Sequence, residues 1–185
     1  MDDQRTTSDS RRQALQLNNE AAAYLGEGKP EKAMPLLQWA IALQPDDASI
    51  LLNLGGAYVL LGRHDEAVSV LTRATEVAPD EAMAWCNLGA ALLRLPVKRT
   101  SQDQERAIAA FEKALDLNPT APHVAYNVGL IRRDRQEWQQ AVAAFGRALE
   151  ADPKDRDARA LLERMRAYMA DERRHGDDGE GGRDS

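Results

Sequence analysis

The chain has 185 residues, 43% of them hydrophobic and 29% charged, which is typical of a folded soluble protein and not of a disordered one. Its net charge of -6 excludes the global positive field that attracts nucleic acid or an anionic membrane surface. A single cysteine, Cys86, excludes an internal disulfide framework.

The N-terminal segment carries no targeting signal that we recognise. Residues 1–12 lack the apolar core of a secretory signal, and no stretch approaches the roughly 20 apolar residues that cross a bilayer. We therefore predict a cytoplasmic protein that has neither nucleic acid nor a membrane as a partner. Residues 1–8 are expected to form a flexible arm.

Four tandem repeats follow, within a predicted domain at residues 9–154. Four prolines are spaced by 34, 40 and 34 residues, and two rows of alanines and one row of large apolar residues keep the same rhythm. The repeats span 14–47, 48–81, 82–121 and 122–155. The recurring residues are Pro45, Pro79, Pro119 and Pro153; Ala33, Ala67, Ala107 and Ala141; Ala40, Ala74, Ala114 and Ala148; and Leu37, Leu71, Phe111 and Phe145.

Each repeat is predicted to form two helices. In the second repeat, Leu51, Leu54 and Tyr58 recur at helical spacing, and Gly62 ends this first helix. The same helix contains "NLGG", in which Asn53 and two glycines are poor helix formers that cost up to about 1 kcal/mol each. The reason for these residues must therefore lie in packing or in binding.

The third repeat carries six extra residues between its helices, within a segment at 95–104. Pro96 is expected to end the first helix near residue 95, and Ser101 with Gln104 to form a capping box for the second. Lys98 and Arg99 add positive charge to this loop. A contact with a partner and a neutral insertion both remain open.

Beyond the repeats, residues 155–174 are predicted to form an amphipathic helix that covers the exposed core of the last repeat. A helix lying on a membrane is disfavoured, because acidic residues match its arginines and it lacks tryptophan. Residues 175–185 are glycine-rich and acidic, and we expect them to be disordered. The apolar stripe of the helix consists of Ala158, Leu161, Leu162, Met165 and Met169.

This pattern resembles the tetratricopeptide repeat, over residues 14–153. The third repeat matches best, and the first and fourth depart from the pattern at Glu20, Ala21 and Ala125. The resemblance implies an all-α, right-handed superhelical solenoid of four helical hairpins plus a C-terminal capping helix. The matching residues of the third repeat are Trp85, Leu88, Gly89, Ala107, Phe111, Ala114 and Pro119.

In such solenoids the first helices of successive repeats line a concave groove, and paired helices cross most closely at a fixed position of the repeat that holds a small residue. Gly55, Gly89 and Gly129 take that position here, where a side chain would push the helices apart. Gly56 is expected on the groove side, where it leaves room for a ligand.

An asparagine stands sixth in every repeat, at Asn19, Asn53, Asn87 and Asn127. A side-chain amide offers a donor and an acceptor, so this row is suited to pairing with a peptide backbone. Similar asparagine ladders line the grooves of other helical-repeat proteins, and that resemblance implies peptide binding. The alternative is a structural row, inherited by duplication or used in hydrogen bonds between helices.

The remaining groove residues are predicted to form an apolar strip with a basic end, which suits a peptide with apolar side chains and an acidic terminus. Capture of an acidic chaperone tail by a carboxylate clamp is disfavoured, because only Asn53 fits that pattern. The strip consists of Leu25, Val59, Leu60, Ala90 and Leu93, and the basic end includes Arg94 and Arg133.

No catalytic constellation is apparent in the sequence. The three histidines, at 64, 123 and 175, are scattered, and Cys86 has no second thiol, so we expect no cofactor, no metal and no enzyme activity. An inert Cys86 is favoured over a nucleophile. We predict a protein-interaction scaffold or adaptor that binds an extended peptide in its groove. The alternatives are a self-assembling homo-oligomer and an accessory subunit of a larger complex.

Overall fold

The computed structural model describes residues 2–93, 100–121 and 123–180, and their side chains from residue 8 to residue 171. Within those ranges it contains nine α-helices and no strand. The helices are α1 (Asp2–Gly26), α2 (Pro30–Leu43), α3 (Ala48–Leu60), α4 (His64–Val77), α5 (Ala82–Leu93), α6 (Ser101–Leu117), α7 (Val124–Asp134), α8 (Trp138–Ala151) and α9 (Arg156–Glu180).

Consecutive helices pair as hairpins, α1 with α2, α3 with α4, α5 with α6 and α7 with α8, as the repeats predict. The chain divides into two compact units. The first, Met1–Leu117, holds α1 to α6, and in it α3 contacts both α1 and α5. The second, Asn118–Ser185, holds α7 to α9, and in it α9 packs on α8.

The turns of the first, second and fourth hairpins each contain a residue with a left-handed backbone. Gly62 adopts a φ of 71° between α3 and α4, which a glycine accepts without steric cost. The equivalent residue in the fourth repeat is Gln136, which adopts a φ of 61° between α7 and α8. The turn geometry is therefore kept even where the glycine is absent.

Each glycine at the predicted crossing lies under a large side chain of the partner helix. A Cβ atom built on Gly55 would be 2.5 Å from Leu71, and one on Gly89 would be 2.7 Å from the ring of Phe111. These partners are fully buried, so they have no free space to move into. The predicted role of the glycines is confirmed, and Gly129 repeats it against Phe145 at 2.7 Å.

The helix α9 covers α8 with its apolar stripe. Leu162 is buried in a cluster with Ala141 and Phe145, and Leu161 and Met165 pack against its edge. The Tyr168 ring lies 5.0 Å from the ring of Trp138. The backbone nitrogens of residues 157 and 158 donate to Asp155 Oδ1, which caps the start of this helix.

Two helices extend into segments that the sequence predicts to be flexible or disordered. The backbone is helical from Asp2 in α1, within the predicted arm at residues 1–8. The helix α9 continues to Glu180, within the segment at 175–185 that is expected to be disordered. Adding a residue to a formed helix is easier than nucleating one, and no proline interrupts either segment.

The capping box of α6 lies one residue earlier than predicted. The hydroxyl of Thr100 accepts from the backbone N–H of Asp103 at 3.1 Å, and the Asp103 carboxylate accepts from the Thr100 N–H at 3.1 Å. Threonine at the cap with an acid three residues later satisfies two helix-end donors. The predicted end of α5 near Pro96 lies outside the described residues.

Candidate peptide-binding face

The outward positions of α1, α3 and α5 form one surface of the first compact unit, which we call the inner face. Because the repeats are offset by 34 residues, equivalent positions come to lie on these contacting helices. Among the described residues of the inner face none carries a formal charge, while Arg94, at the position equivalent to Gly26 and Leu60, lies outside the described residues. The described residues of this face are Leu15, Ser49 and Met83; Asn18, Leu52 and Cys86; Asn19, Asn53 and Asn87; Ala22, Gly56 and Ala90; Leu25, Val59 and Leu93; and Gly26 and Leu60.

Three large apolar side chains of the inner face are exposed to solvent. Leu15 is 55% exposed, Leu60 54% and Met83 57%. Leu60 was predicted as a groove residue, whereas Leu15 and Met83 were missed. Both stand four residues before an asparagine of the row, which is one helical turn, and that spacing was the available signal.

The other predicted apolar residues are less accessible. Leu25, Val59, Ala90 and Leu93 are half-buried, and Leu25 packs against the core of the first two hairpins. Beside them, a Cβ atom on Gly56 would meet nothing within 4 Å. The expected open space at Gly56 is therefore present.

The asparagines of the row differ from one another. Asn19 is exposed, while Asn53 and Asn87 are half-buried. Among the described residues, Asn53 alone of these three has a side-chain hydrogen bond, from its Nδ2 to Asn18 Oδ1 at 2.9 Å. Asn127 is half-buried on α7 and belongs to the second compact unit.

Asn18 is a residue that the sequence reasoning passed over. Its side chain is only 4% exposed, and its Nδ2 donates to Ser49 Oγ at 3.1 Å. Ser49 Oγ in turn donates to Asp47 Oδ1 at 2.6 Å. Asn18 thus links α1 to α3 by two hydrogen bonds, and the structural reading of the asparagines applies at least to Asn53.

The described residues do not test the predicted basic end of the groove. Arg94 lies outside them. Arg133 is on α7, in the second compact unit, and is paired with Asp134 at 2.7 Å. The basic end therefore stays a prediction.

Cys86 also lies on the inner face, where it is half-buried. Burial raises the pKa of its thiol above the ordinary value, so less thiolate forms at neutral pH than on an exposed cysteine. Among the described side chains, no group of three acidic, histidine or cysteine residues is placed to hold a metal ion. No helix in that part of the chain is long and apolar enough to cross a membrane.

In the second compact unit, a cavity of about 240 Å³ lies between the start of α7 and the end of α8. Ala125 lines it, at the repeat position that holds Leu51 and Trp85 in the second and third repeats. Ala148 and Ala151 line the opposite wall. The departure noted in the fourth repeat therefore leaves unfilled space.

Near the turn between α7 and α8, one carboxylate meets two guanidinium groups. Glu137 accepts hydrogen bonds from Arg132 and, at 2.6 Å, from Arg135. The hydrogen bond from Arg132, with a further one from Arg135, lowers the pKa of Glu137 against the opposing effect of burial. This cluster braces the turn that contains Gln136.

Comparison with protein families identifies the repeat. Two family models described as tetratricopeptide repeat match residues 24–92 and 97–156, which together are more than half of the chain. The chain belongs to the tetratricopeptide repeat family, and its fold is an all-α helical-repeat solenoid. None of the curated proteins matches the sequence.

Solved structures of the same fold share little sequence identity with this chain. MamA from Desulfovibrio magneticus, residues 41 to the end, is 22% identical with a TM-score of 0.74, over 89% of this chain and 90% of MamA. YrrB, a protein of this family with an unusual peptide-binding site, is 19% identical with a TM-score of 0.71, over 90% of this chain and 83% of YrrB.

A third structure is the first tetratricopeptide repeat domain of Spaghetti (RPAP3) bound to the HSP90 peptide SRMEEVD. It is 22% identical with a TM-score of 0.62, over 68% of this chain and 95% of that domain. At these identities the likeness establishes the fold.

Proposed function

We propose that this protein is a non-enzymatic scaffold that binds an extended, uncharged peptide segment on its inner face. The observation that carries the proposal is the combination, on three contacting helices, of exposed apolar side chains with a row of amides, with no charge among the described residues of this face. Proteins of this fold that bind peptides, such as YrrB and the RPAP3 domain, support protein interaction as the general role.

The exposed apolar side chains supply the affinity. Burying a leucine or methionine side chain completely stabilises a complex by about 1.5–3 kcal/mol. Leu15, Leu60 and Met83 are each about half exposed, so covering them contributes roughly 1 kcal/mol apiece. Three such contacts suit a ligand of modest affinity, as is common for scaffold interactions.

The amides supply pairing that does not depend on the ligand sequence. Asn19 and Asn87 have no side-chain hydrogen bond to another described residue, so their donors and acceptors are available to a peptide backbone. An extended chain presents N–H and C=O groups at regular intervals, which a row of amides on successive helices can meet.

The lack of charge defines the chemistry of the ligand. A charged side chain that was buried on this face would find no opposite charge, and an unpaired charge is costly to desolvate. The inner face therefore favours a segment of apolar and small polar residues over the acidic-ended peptide that the sequence suggested. None of its described residues is a lysine or arginine that could hold a C-terminal carboxylate.

A capture experiment tests this function. Immobilised protein is exposed to a library of seven-residue peptides with both ends capped, in which charged and uncharged members are equally represented. We expect uncharged members to be enriched. The acidic peptide SRMEEVD serves as the negative control.

A variant with Asn19→Ala, Asn87→Ala and Leu60→Asp is expected to lose the capture while its circular dichroism remains helical. The matched control is Trp39→Asp, because Trp39 is 58% exposed on α2, outside the inner face. Equal capture by both variants would contradict the proposal. Sedimentation of the unliganded protein tests the self-assembly alternative.

A further inference from the structure

The orientation of the Asn53 side-chain amide is set by the carboxylate of Asp47, through the side chains of Ser49 and Asn18. Asp47 Oδ1 accepts from the backbone N–H groups of Ser49 and Ile50 at 3.0 and 3.1 Å, as the cap of α3. The same oxygen lies 2.6 Å from Ser49 Oγ. An ionised carboxylate only accepts hydrogen bonds, so the single hydroxyl proton of Ser49 points at Asp47.

The orientation of the Ser49 hydroxyl in turn fixes the orientation of the Asn18 amide. Because its proton is engaged, Ser49 Oγ can only accept from Asn18, whose Nδ2 lies 3.1 Å away. Asn18 therefore turns its NH2 group towards Ser49 and its carbonyl oxygen towards Asn53. Asn53 Nδ2 donates to that oxygen at 2.9 Å, and so Asn53 Oδ1 points away from Asn18.

The result is a row of amides that are not equivalent. Asn18 is 4% exposed and uses both its donor and its acceptor, so it holds its neighbour in one orientation. Asn19 and Asn87 have no such partner among the described side chains and can rotate. Asn53 is half-buried on the inner face and presents a fixed acceptor there.

We infer that Asn18 is a positioning residue, which holds Asn53 with its carbonyl oxygen outward so that this oxygen accepts a backbone N–H of the bound peptide. This inference rests on the proposed function, because it assumes that the ligand is a peptide on the inner face. The inference goes beyond the proposed function because it names the asparagine that binds the peptide backbone, Asn53, and the peptide group that this asparagine contacts, a backbone N–H.

The first arm of the test needs no ligand. Hydrogen exchange of side-chain amides, followed by NMR, is expected to show Asn53 Nδ2 protons exchanging about tenfold more slowly than those of Asn87 in the same sample. Asn18→Leu is expected to remove the difference. Ser49→Ala is a second variant. It removes the hydroxyl that links Asp47 to Asn18 but leaves the hydrogen bonds that Asp47 accepts from the backbone of α3.

The second arm uses a peptide recovered by the library capture described above. Each backbone nitrogen is methylated in turn, which removes one N–H at a time. We expect one position at which methylation weakens binding by about tenfold for the wild type and has no effect for Asn53→Ala. Asn18→Leu is expected to weaken binding of the unmethylated peptide by about threefold while its helical content is unchanged.

The outcomes separate this inference from the proposed function. Fast exchange at Asn53 in a protein that still captures the peptide overturns the inference and leaves the function intact. Equal sensitivity to methylation in the wild type and Asn53→Ala overturns the acceptor role. If no peptide is captured, the proposed function and the positioning role both fail, and slow exchange then marks Asn18 as a packing contact alone.

Discussion

At the scale of single residues, two adjacent glycines of α3 have opposite surroundings. Gly55 faces Leu71 inside the hairpin, whereas Gly56 faces open space on the inner face. Both stand in a helix interior, where glycine is less favourable than alanine. Packing therefore explains Gly55, whereas Gly56 has open space beside it, as the proposed binding face requires.

Alanine substitution separates these two roles. Gly55→Ala is expected to lower the free energy of unfolding by about 1–3 kcal/mol, because its Cβ atom would overlap Leu71. Gly56→Ala, the matched control, is expected to raise it by about 0.5–1 kcal/mol through helix propensity alone. Urea denaturation followed by circular dichroism measures both, and a stabilised Gly55→Ala protein would refute the packing account.

Residue roles that depend on a fixed spacing could be predicted from the sequence. The glycines under Leu71, Phe111 and Phe145 follow from the repeat, because the helical hairpin keeps the same crossing in every unit. The role of Asn18 could not be predicted, since its partners lie 31 and 35 residues away and only one repeat has them. Leu15 and Met83 were predictable from their spacing to the asparagines but were missed.

At the scale of helices, the connection between α7 and α8 is held by charge. Glu137 accepts from Arg132 and Arg135, whose side chains are 22% and 20% exposed. This bracing lies next to Gln136, which adopts a backbone conformation that favours glycine. The ion pairs thus support a turn that the sequence alone makes less stable.

The pH dependence of stability reports on this cluster. Because the pKa of Glu137 is lowered in the folded state, its contribution is present above the pKa of about 4.3 of an unfolded glutamate. That contribution is lost as the pH falls through the lower folded value. Glu137→Gln is expected to cost about 1 kcal/mol at pH 7, after allowance for solvent screening, and to approach the wild type in acid.

Glu150→Gln is the matched control for this experiment, because Glu150 is exposed on α8, the helix that Glu137 directly precedes. It is expected to change stability by less than about 0.5 kcal/mol at either pH. Denaturation of the three proteins at pH 7 and pH 3 gives the comparison. A constant cost of Glu137→Gln across this range would show that the carboxylate charge is not involved.

The cavity between α7 and α8 offers a second test at this scale. Ala125→Leu restores the residue type of the second repeat, and filling the space is expected to raise the free energy of unfolding by about 0.5–2 kcal/mol. Ala141→Leu is the control, since Ala141 is fully buried in a packed cluster and overpacking should cost about 1–3 kcal/mol. Destabilisation of similar size in both would mean that the cavity is not available.

Helix ends were the part of these elements that the sequence predicted least well. The number of helices and their pairing follow from apolar periodicity and from the prolines. The capping box at Thr100 and Asp103 and the continuation of α1 and α9 depend on competition among several neighbouring polar residues. The alternative helix ends differ little in free energy, so a local sequence pattern does not determine at which residue a helix begins or ends.

At the scale of the whole molecule, the described part of the inner face contrasts with the composition of the chain. The chain is 29% charged, yet every described residue of the inner face is apolar, small or uncharged and polar. Under the proposed function, such a face makes contacts that depend on shape and on backbone pairing instead of on charge. A repeat fold that is common to many functions would obtain its ligand chemistry from these positions.

Binding on this face is expected to be almost independent of salt. Without ion pairs to screen, the dissociation constant of a captured uncharged peptide should change by less than about twofold between 50 mM and 500 mM sodium chloride. Fluorescence anisotropy with a labelled peptide measures this directly. A loss of affinity of about tenfold or more would indicate that charged residues outside the inner face hold the ligand.

The most direct test of the central claim is to map a captured peptide on the protein by backbone and methyl NMR. The account predicts that shift changes cluster on α1, α3 and α5, with the methyl groups of Leu15, Leu60 and Met83 among the largest. The control residue Trp39 on α2 should be unaffected. Changes confined to α2, α4 and α6, or to α9, would contradict the account, because the peptide would then bind a surface other than the inner face.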